Sequence, residues 1–136
     1  MIAIENEVSE TIARLRFAKS YLAFVKAAIP LGLMYEPLCL HAQQAAIEAI
    51  KAVLIYAGID FSRKRIIGSL IKLLPSDLPY LDYFDIAPNL RTFKADISYP
   101  TDKGIVDEKE FRETLQIAEA IVAWADAIIN PPAKKE

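Results

Sequence analysis

Apolar side chains recur every three or four residues over three long stretches of the chain, a spacing typical of α-helices that bury one face. The first stretch covers about residues 4–29. Two apolar stripes run along it, one formed by Ile4, Val8, Ile12, Leu15, Leu22 and Ile29, and the other by Phe17, Tyr21 and Phe24. A helix with two apolar stripes must either lie between other helices or present one stripe to a second subunit.

The second and the last long stretches are also predicted to be helices. The second starts near Glu36-Pro37, because proline suits a first helical turn, and runs to about Tyr56, just before Gly58. Apolar side chains cover most of its circumference, which predicts a central position. The last helix begins at Asp107, with a glutamate three residues later as in a capping box, and is ended by an Asn-Pro-Pro sequence at 130–132.

The region between these helices predicts shorter elements. A third helix is predicted over residues 63–74, with Ser62 as its N-cap and a proline after its end. Residues 75–88 predict a loop with one helical turn around Leu81, and a fourth, short helix is predicted over residues 89–96. No stretch has the period of two that is typical of β-strands. The pattern therefore predicts an all-α, up-and-down bundle of four main helices plus one short helix.

Length, charge and cysteine content narrow the class of protein. The 136 residues predict one domain over residues 1–136. The formal net charge of -2 gives no overall attraction to nucleic acid or to a membrane surface. The only cysteine, Cys39, cannot form an intrachain disulfide and fits a reducing compartment. Because the first ten residues hold three glutamates and no long apolar block, we expect a cytoplasmic protein without a signal peptide and without a membrane partner.

The candidate chemistry lies in the alanine-rich second helix, which holds the only histidine. His41 could act as a general base, or it could be a structural histidine that is hydrogen-bonded to Glu48 or to a loop carbonyl. We favour the structural interpretation, because the sequence places no second catalytic group near it. Gln43, Gln44 and Glu48 could bind a base edge or a ribose, or could pair across a seam of the bundle, which we favour. Because Gln43 falls among apolar neighbours, we expect it to be hydrogen-bonded in the interior.

Basic and aromatic residues further along the chain could bind nucleic acid. A phosphate-binding patch could form from Arg63, Lys64, Arg65, Lys72, Arg91 and Lys94. Beside it, Tyr99 could stack on bases together with Tyr80 and Tyr83. A solvated face and the packing of loops explain the same residues more simply. The aspartates between residues 77 and 85 lack the pattern of a calcium loop, so we expect no metal and no cofactor.

The second helix also resembles a family signature. From Cys39 to Ala52 the chain reads Cys-Leu-His-Ala-Gln-Gln-Ala-Ala-Ile-Glu-Ala-Ile-Lys-Ala. This is similar to the Cys-x-His-Ala-Gln-Gln-Ala-Ala-x-x-Ala-x-Lys-Ala run of prokaryotic HEPN domains. The dipeptide Tyr99-Pro100 resembles the end of an Arg-Tyr-Pro motif that often precedes the last helix in that family. The order of the helices fits as well, so the resemblance spans nearly the whole chain.

The resemblance implies a helical bundle that usually dimerises. Many members pair with a small nucleotidyltransferase, often in two-gene toxin–antitoxin modules, and others bind nucleotides. Active members are metal-independent RNases with an Arg-x(4–6)-His motif across the dimer interface. That motif is absent here, because no arginine lies five to seven positions before His41, and Arg91 is followed by Asp-Ile-Ser at positions 96–98. A serine also stands where the family often has arginine before Tyr99.

These observations support one function and leave two alternatives. The favoured one is a HEPN-like, non-catalytic, dimeric partner of a small nucleotidyltransferase, or a nucleotide-binding module. Its candidate binding residues are His41, Gln43, Gln44, Glu48, Arg63, Arg91 and Tyr99, and no residue is assigned a catalytic role. The first alternative is a divergent metal-independent RNase that uses His41 with Arg91 or Arg63 in a dimer cleft. The second is a structural scaffold without a ligand.

Overall fold

The chain forms an all-α bundle, which confirms the predicted fold class. The computed structural model describes residues 2–61, 66–92 and 105–132, with side chains from residue 8 onward, and the described residues contain no strand. The α-helices are α1 (Ile2–Ala28), α2 (Tyr35–Tyr56), α3 (Ile67–Ile71) and α4 (Glu108–Ile129). Short 3-10 helices cover Ile29–Leu31, Asp82–Asp85 and Ala87–Asn89.

Helix α1 runs antiparallel to α2 and to α4. Along the first pair, Arg14 binds Glu48, whereas Phe24, further along α1, contacts His41 near the start of α2. Along the second pair, the ion pairs are Lys19 with Asp126 at 2.9 Å and Lys26 with Glu119 at 3.4 Å. Because α1 is antiparallel to both, α2 and α4 are parallel to each other, so the chain between them must travel back along the bundle.

Residues 66–92, here called the return segment, run back along the bundle beside α4. Three hydrogen bonds show its direction, from Trp124 Nε1 to the Pro79 carbonyl, from Gln116 Nε2 to Tyr83 Oη, and from Arg91 Nη2 to Glu110 Oε1. As the return segment advances, its partners in α4 move toward the start of that helix. The return segment is therefore antiparallel to α2 and α4 and gives the bundle its up-and-down order.

Helix α2 lies at the centre because the other three α-helices all pack against it. Its alanines at 42, 45, 46, 49 and 52 are all 2% exposed or less, and their small side chains let the neighbouring helices approach closely. The helix ends where the sequence predicts. The Gly58 amide bonds the Ile55 carbonyl and the Ile59 amide bonds the Leu54 carbonyl, a Schellman motif that uses the positive φ of Gly58.

Helix α4 confirms its predicted start, and it buries one face, as the apolar spacing of its sequence predicts. The Asp107 side chain accepts a hydrogen bond of 2.8 Å from the Glu110 amide, which satisfies one of the free amides of the first turn. The buried positions include Phe111, Leu115 and Ile121. The start of α4 could be read from the sequence because an N-cap depends on residues that are adjacent along the chain.

The third and fourth helices differ from their predictions. Helix α3 is only five residues long, and residues 72–74 form turns rather than the last part of a helix. Its Gly68 lies against Pro88, where a Cβ atom would come within 3.2 Å of the proline ring. The close packing therefore requires glycine at this position, and glycine has a low helix propensity. No helix starts at Asn89, because Leu90 is extended. Residues 62–65 and 93–104, including the predicted N-cap Ser62, lie outside the described residues.

The two apolar stripes of α1 are each only partly buried by the rest of the bundle. On the first stripe, Leu15 and Leu22 are buried, but Val8 and Ile12 are about half exposed. On the second stripe, Phe17 is 59% exposed and Phe24 is 55% exposed, so none of the described helices covers them. Of the two predicted explanations for this stripe, burial between helices of the same bundle is therefore ruled out within the described part of the chain.

Of the described helices, α2 is long and apolar enough to span a membrane by length and composition. More than half of the relevant stretch, 56%, is buried inside the bundle. An apolar circumference is what a central helix needs in order to contact neighbours on several sides. Its position in the core therefore accounts for its high hydropathy.

We expect Ile50→Ala to lower the free energy of unfolding by about 2–5 kcal/mol, because it leaves a cavity at a fully buried position between α2 and its neighbours. Urea denaturation followed by circular dichroism measures the change. Ile105→Ala is the matched control, since Ile105 is 68% exposed and its loss should change stability by less than about 0.5 kcal/mol. Equal losses in the two variants would contradict the central position of α2.

Candidate functional site

The polar residues of α2 point to two different sides of the helix. His41, Gln44 and Glu48 follow one another at i, i+3 and i+7, so they share a face beside α1. Gln43 lies about 160° around the helix from His41, toward the return segment. The outer side, with Phe17, Tyr21 and Phe24 of α1, is called the α1–α2 face below, and the inner side is called the inner polar cluster.

His41 sits between two aromatic rings on the α1–α2 face. The Tyr21 ring stacks on it with a centroid distance of 5.7 Å, and the Phe24 ring meets it edge-on at 5.1 Å. Its Nδ1 atom is buried and has no hydrogen-bond partner among the described residues. Within the described residues, Nδ1 therefore does not make the hydrogen bond to Glu48 or to a loop carbonyl that the structural interpretation expects. The aromatic contacts hold the imidazole in place, with its half-buried ring at the surface of the bundle.

Glu48 is occupied by an arginine instead. Arg14 Nη1 of α1 bonds Glu48 Oε2 at 2.9 Å, while the same guanidinium contacts Glu10 Oε1 at 3.2 Å. The guanidinium carbon also lies 5.4 Å from the centre of the Phe61 ring. The prediction that Glu48 pairs across a seam of the bundle is confirmed, and the seam is the one between α1 and α2.

A shallow groove of about 310 Å³ runs along the same face. Its lining residues are Glu10, Ala13, Arg14, Phe17, Tyr21 and Glu48. The volume is at the small end of the range for ligand pockets. Since the only cation in the lining is already shared between two carboxylates, the groove is unsuited to a polyphosphate. The Tyr21 ring in the lining suits a flat, uncharged or cationic group such as a nucleobase.

The inner polar cluster joins α2 to the return segment and α4. Gln43 Nε2 donates to the Arg91 carbonyl, which confirms that Gln43 is hydrogen-bonded in the interior. The Arg91 guanidinium is 12% exposed and bonds Glu110 Oε1 at 2.7 Å. Both residues therefore fix the end of the return segment. Arg91 is held inside the fold and is not presented as part of a surface patch.

Glu36 and Cys39 extend this cluster, and the sequence gives Glu36 no role beyond marking the start of α2. Glu36 is 7% exposed, its Oε1 accepts a hydrogen bond of 3.0 Å from the Val106 amide, and its Oε2 is buried without a partner among the described residues. Burial raises the pKa of the Cys39 thiol to about 12, against the opposing effect of a hydrogen bond with Thr114. Such a thiol stays protonated and unreactive. In the sequence, the only sign that Glu36 is buried is its position directly before Pro37 at the start of an apolar helix.

The remaining candidates are only partly placed. Arg63 and Tyr99 lie outside the described residues, as do Lys64, Arg65 and Lys94, so the basic patch stays a prediction. Tyr80 Oη donates to Asp85, a hydrogen bond that raises the pKa of Tyr80, and Tyr83 accepts from Gln116. Both tyrosines thus stabilise the return segment. Within the described ranges, no group of three or more histidine, cysteine or acidic side chains could hold a metal ion.

One of three comparisons with known proteins gives a match. The family model described as the HEPN domain matches residues 12–128, which covers α1 from residue 12 onward, all of α2 and the return segment, and α4 up to residue 128. No curated protein and no solved structure matches the chain.

We expect Gln43→Ala to destabilise the fold by about 1–3 kcal/mol, because it removes the donor to a part-buried carbonyl at the end of the return segment. Gln44→Ala is the matched control on the neighbouring position, and should cost less than about 0.5 kcal/mol. Urea unfolding of the two variants gives both values. A larger loss for Gln44→Ala than for Gln43→Ala would contradict the division of α2 into two sides.

We expect Cys39 to resist a thiol reagent such as Ellman's reagent at pH 8 in the folded protein and to react fully in urea, because the reagent requires a thiolate. The pKa of this thiol is higher folded than unfolded, so its contribution to stability is present below the unfolded value of about 8.5 and is lost as the pH rises above it. Rapid labelling of the native protein at pH 8 would show that the thiol is not buried as described.

Proposed function

This chain belongs to the HEPN domain family, and from that premise we propose that it is a cytoplasmic, non-catalytic, homodimeric interaction domain. Its partner is a small nucleotidyltransferase of a toxin–antitoxin-like pair, or its ligand is a nucleotide bound on the α1–α2 face. The family membership rests on the match over residues 12–128. The observation that carries the non-catalytic assignment is the surroundings of His41.

A catalytic histidine in an RNase needs a group that orients it and a cation beside the phosphate. His41 has aromatic rings on two sides and a buried Nδ1 without a partner among the described residues. The arginine in the groove of the α1–α2 face, Arg14, is bound to two carboxylates. These surroundings favour a histidine that contributes shape and stacking to a binding surface.

The geometry also disfavours the alternative function, a divergent RNase. That hypothesis pairs His41 with Arg91 or Arg63. Arg91 lies on the opposite side of α2, in the inner polar cluster, and its guanidinium binds Glu110. To meet a histidine in a dimer cleft it would have to leave this ion pair. Arg63 is outside the described residues, so the pair with Arg63 is addressed by experiment.

The exposed aromatic residues of α1 support an interaction role. Phe17 and Phe24 are both more than half exposed, and an apolar surface of this kind marks a site of association in soluble proteins. The groove beside them supports a nucleotide ligand that enters with its base, since Glu10 and Glu48 repel a polyphosphate. Gln44 and His41, on the same face, could hydrogen-bond the edge of that base.

We expect the purified protein to run as a dimer in light scattering at micromolar concentration and to leave mixed RNA uncut in the presence and absence of a chelator. The dimer follows from the exposed α1 stripe, and the absence of cleavage follows from the isolated position of His41. His41→Ala and His41→Gln are the paired variants for the RNA assay.

Cleavage that is lost in both His41 variants, while their circular dichroism spectra match the parent, would establish the RNase alternative. A strict monomer up to high concentration would contradict the homodimer. Stabilisation by adenosine or guanosine nucleotides in a thermal-shift assay, weakened by Gln44→Ala, would assign the nucleotide ligand over the nucleotidyltransferase partner.

A further inference from the structure

Six positions on α1 and its 3-10 extension form a regular pattern, and every one of them is exposed. Along the chain, the spacings between them alternate between four and three residues, which is the heptad spacing of helices that pack in pairs. Small and large side chains alternate along the line, in the order Ala13, Phe17, Ser20, Phe24, Ala27 and Leu31. These six positions are called the α1 seam below.

The α1 seam lies on the outer side of α1, where Phe24 also contacts His41, and Ala13 and Phe17 also lie at the edge of the groove beside α2. The opposite face of the helix carries the residues that α1 buries against α2 and α4, including Leu15, Leu22 and Val25. The seam holds no charged side chain, and its large members are 59%, 55% and 70% exposed. A long helix that buries one face in its own bundle and carries an uncharged heptad line on the other is built to contact a second helix.

We propose that the α1 seam packs against the α1 seam of a second copy of the chain, with the two helices antiparallel about a two-fold axis at the level of Leu22. The inference rests on the proposed homodimer and adds the face, the direction and the register of its interface. In this register Phe17 lies over the partner's Ala27, Phe24 over the partner's Ser20, and Leu31 over the partner's Ala13. Each large side chain meets a small one, six times in the symmetric pair.

Other arrangements of the same two helices pack worse. In a parallel pair, each phenylalanine faces the same phenylalanine, and the alanine layers between them leave gaps. An antiparallel pair shifted by three or four residues places large side chains opposite large ones and small opposite small. An antiparallel shift of one whole heptad also sets large side chains over small ones, but it pairs fewer layers. The register about Leu22 therefore fills the most layers, and a two-fold axis gives a closed dimer rather than a filament.

The seam alone is smaller than a standard interface, so we expect a weak dimer. The segment from residue 13 to residue 31 is about 28 Å long at the rise of an α-helix. Its exposed aromatic residues offer roughly 100 Å² each, toward the roughly 800 Å² per partner that a standard interface buries. Leu33 and Met34, exposed just beyond the seam, extend the apolar surface. We therefore expect an equilibrium between monomer and dimer that depends on concentration.

The face is tested by placing a charge in the seam. Ala27→Glu puts a carboxylate where the partner's Phe17 docks, and should raise the dimer dissociation constant about tenfold or more, because a charge buried at an interface without a partner is costly. Ala123→Glu is the matched control, an alanine on the exposed face of α4, and should leave the constant within about twofold. Analytical ultracentrifugation gives the constants, and circular dichroism confirms the helical content of both variants.

The register is tested by exchanging a large and a small layer. Ser20→Phe alone sets phenylalanine against the partner's Phe24 and should weaken the dimer, whereas Ser20→Phe combined with Phe24→Ser restores a large-over-small layer and should recover most of the affinity. A parent dimer that Ala27→Glu leaves intact would overturn the seam while the homodimer stands. A folded parent that remains monomeric would overturn both. A dimer that Ala27→Glu breaks but the double variant does not recover would overturn the register.

Discussion

The structure depends on the close packing of α2 between α1, α4 and the return segment. Five alanines along α2 are almost completely buried, and no larger side chain could replace them without pushing a neighbouring helix away. This packing fixes the two parallel helices α2 and α4 at a short distance, and so makes the return segment necessary. It also means that each polar side chain on α2 faces a particular neighbour, the return segment and α4 on one side or α1 on the other.

The polar residues of α2 meet this constraint in two ways. Gln43 and Glu36 turn inward and bind backbone groups of two other segments. Gln43 donates to the Arg91 carbonyl at the end of the return segment, and Glu36 accepts from the Val106 amide just before α4. His41, Gln44 and Glu48 turn toward α1 and the solvent. One helix therefore closes the fold with its inner polar groups and, in our proposal, presents a binding surface with its outer ones. The inner group is structural, so the functional hypothesis narrows to the α1–α2 face.

The sequence predicted the long helices well because their signals are local. The Asp107 cap, the end of α2 at Gly58 and the apolar period of α4 all depend on residues within a few positions of each other. The return segment was predicted poorly, because its path is set by contacts with α4 that are distant along the chain, such as that between Pro79 and Trp124. The site shows the same contrast. Glu48 and Gln43 were correctly expected to pair across seams, but the aromatic surroundings of His41 require knowledge of how α1 lies against α2.

The central claim is that α2 separates a structural side from an interacting side. The most direct measurement is a dilution series of the isotope-labelled protein followed by amide chemical shifts in solution NMR. We predict that concentration-dependent shifts are confined to α1 between residues 13 and 31 and to the adjoining turns of α2 around His41. Concentration-dependent shifts centred on Gln43, Arg91 and Glu110, with none in α1, would contradict the account.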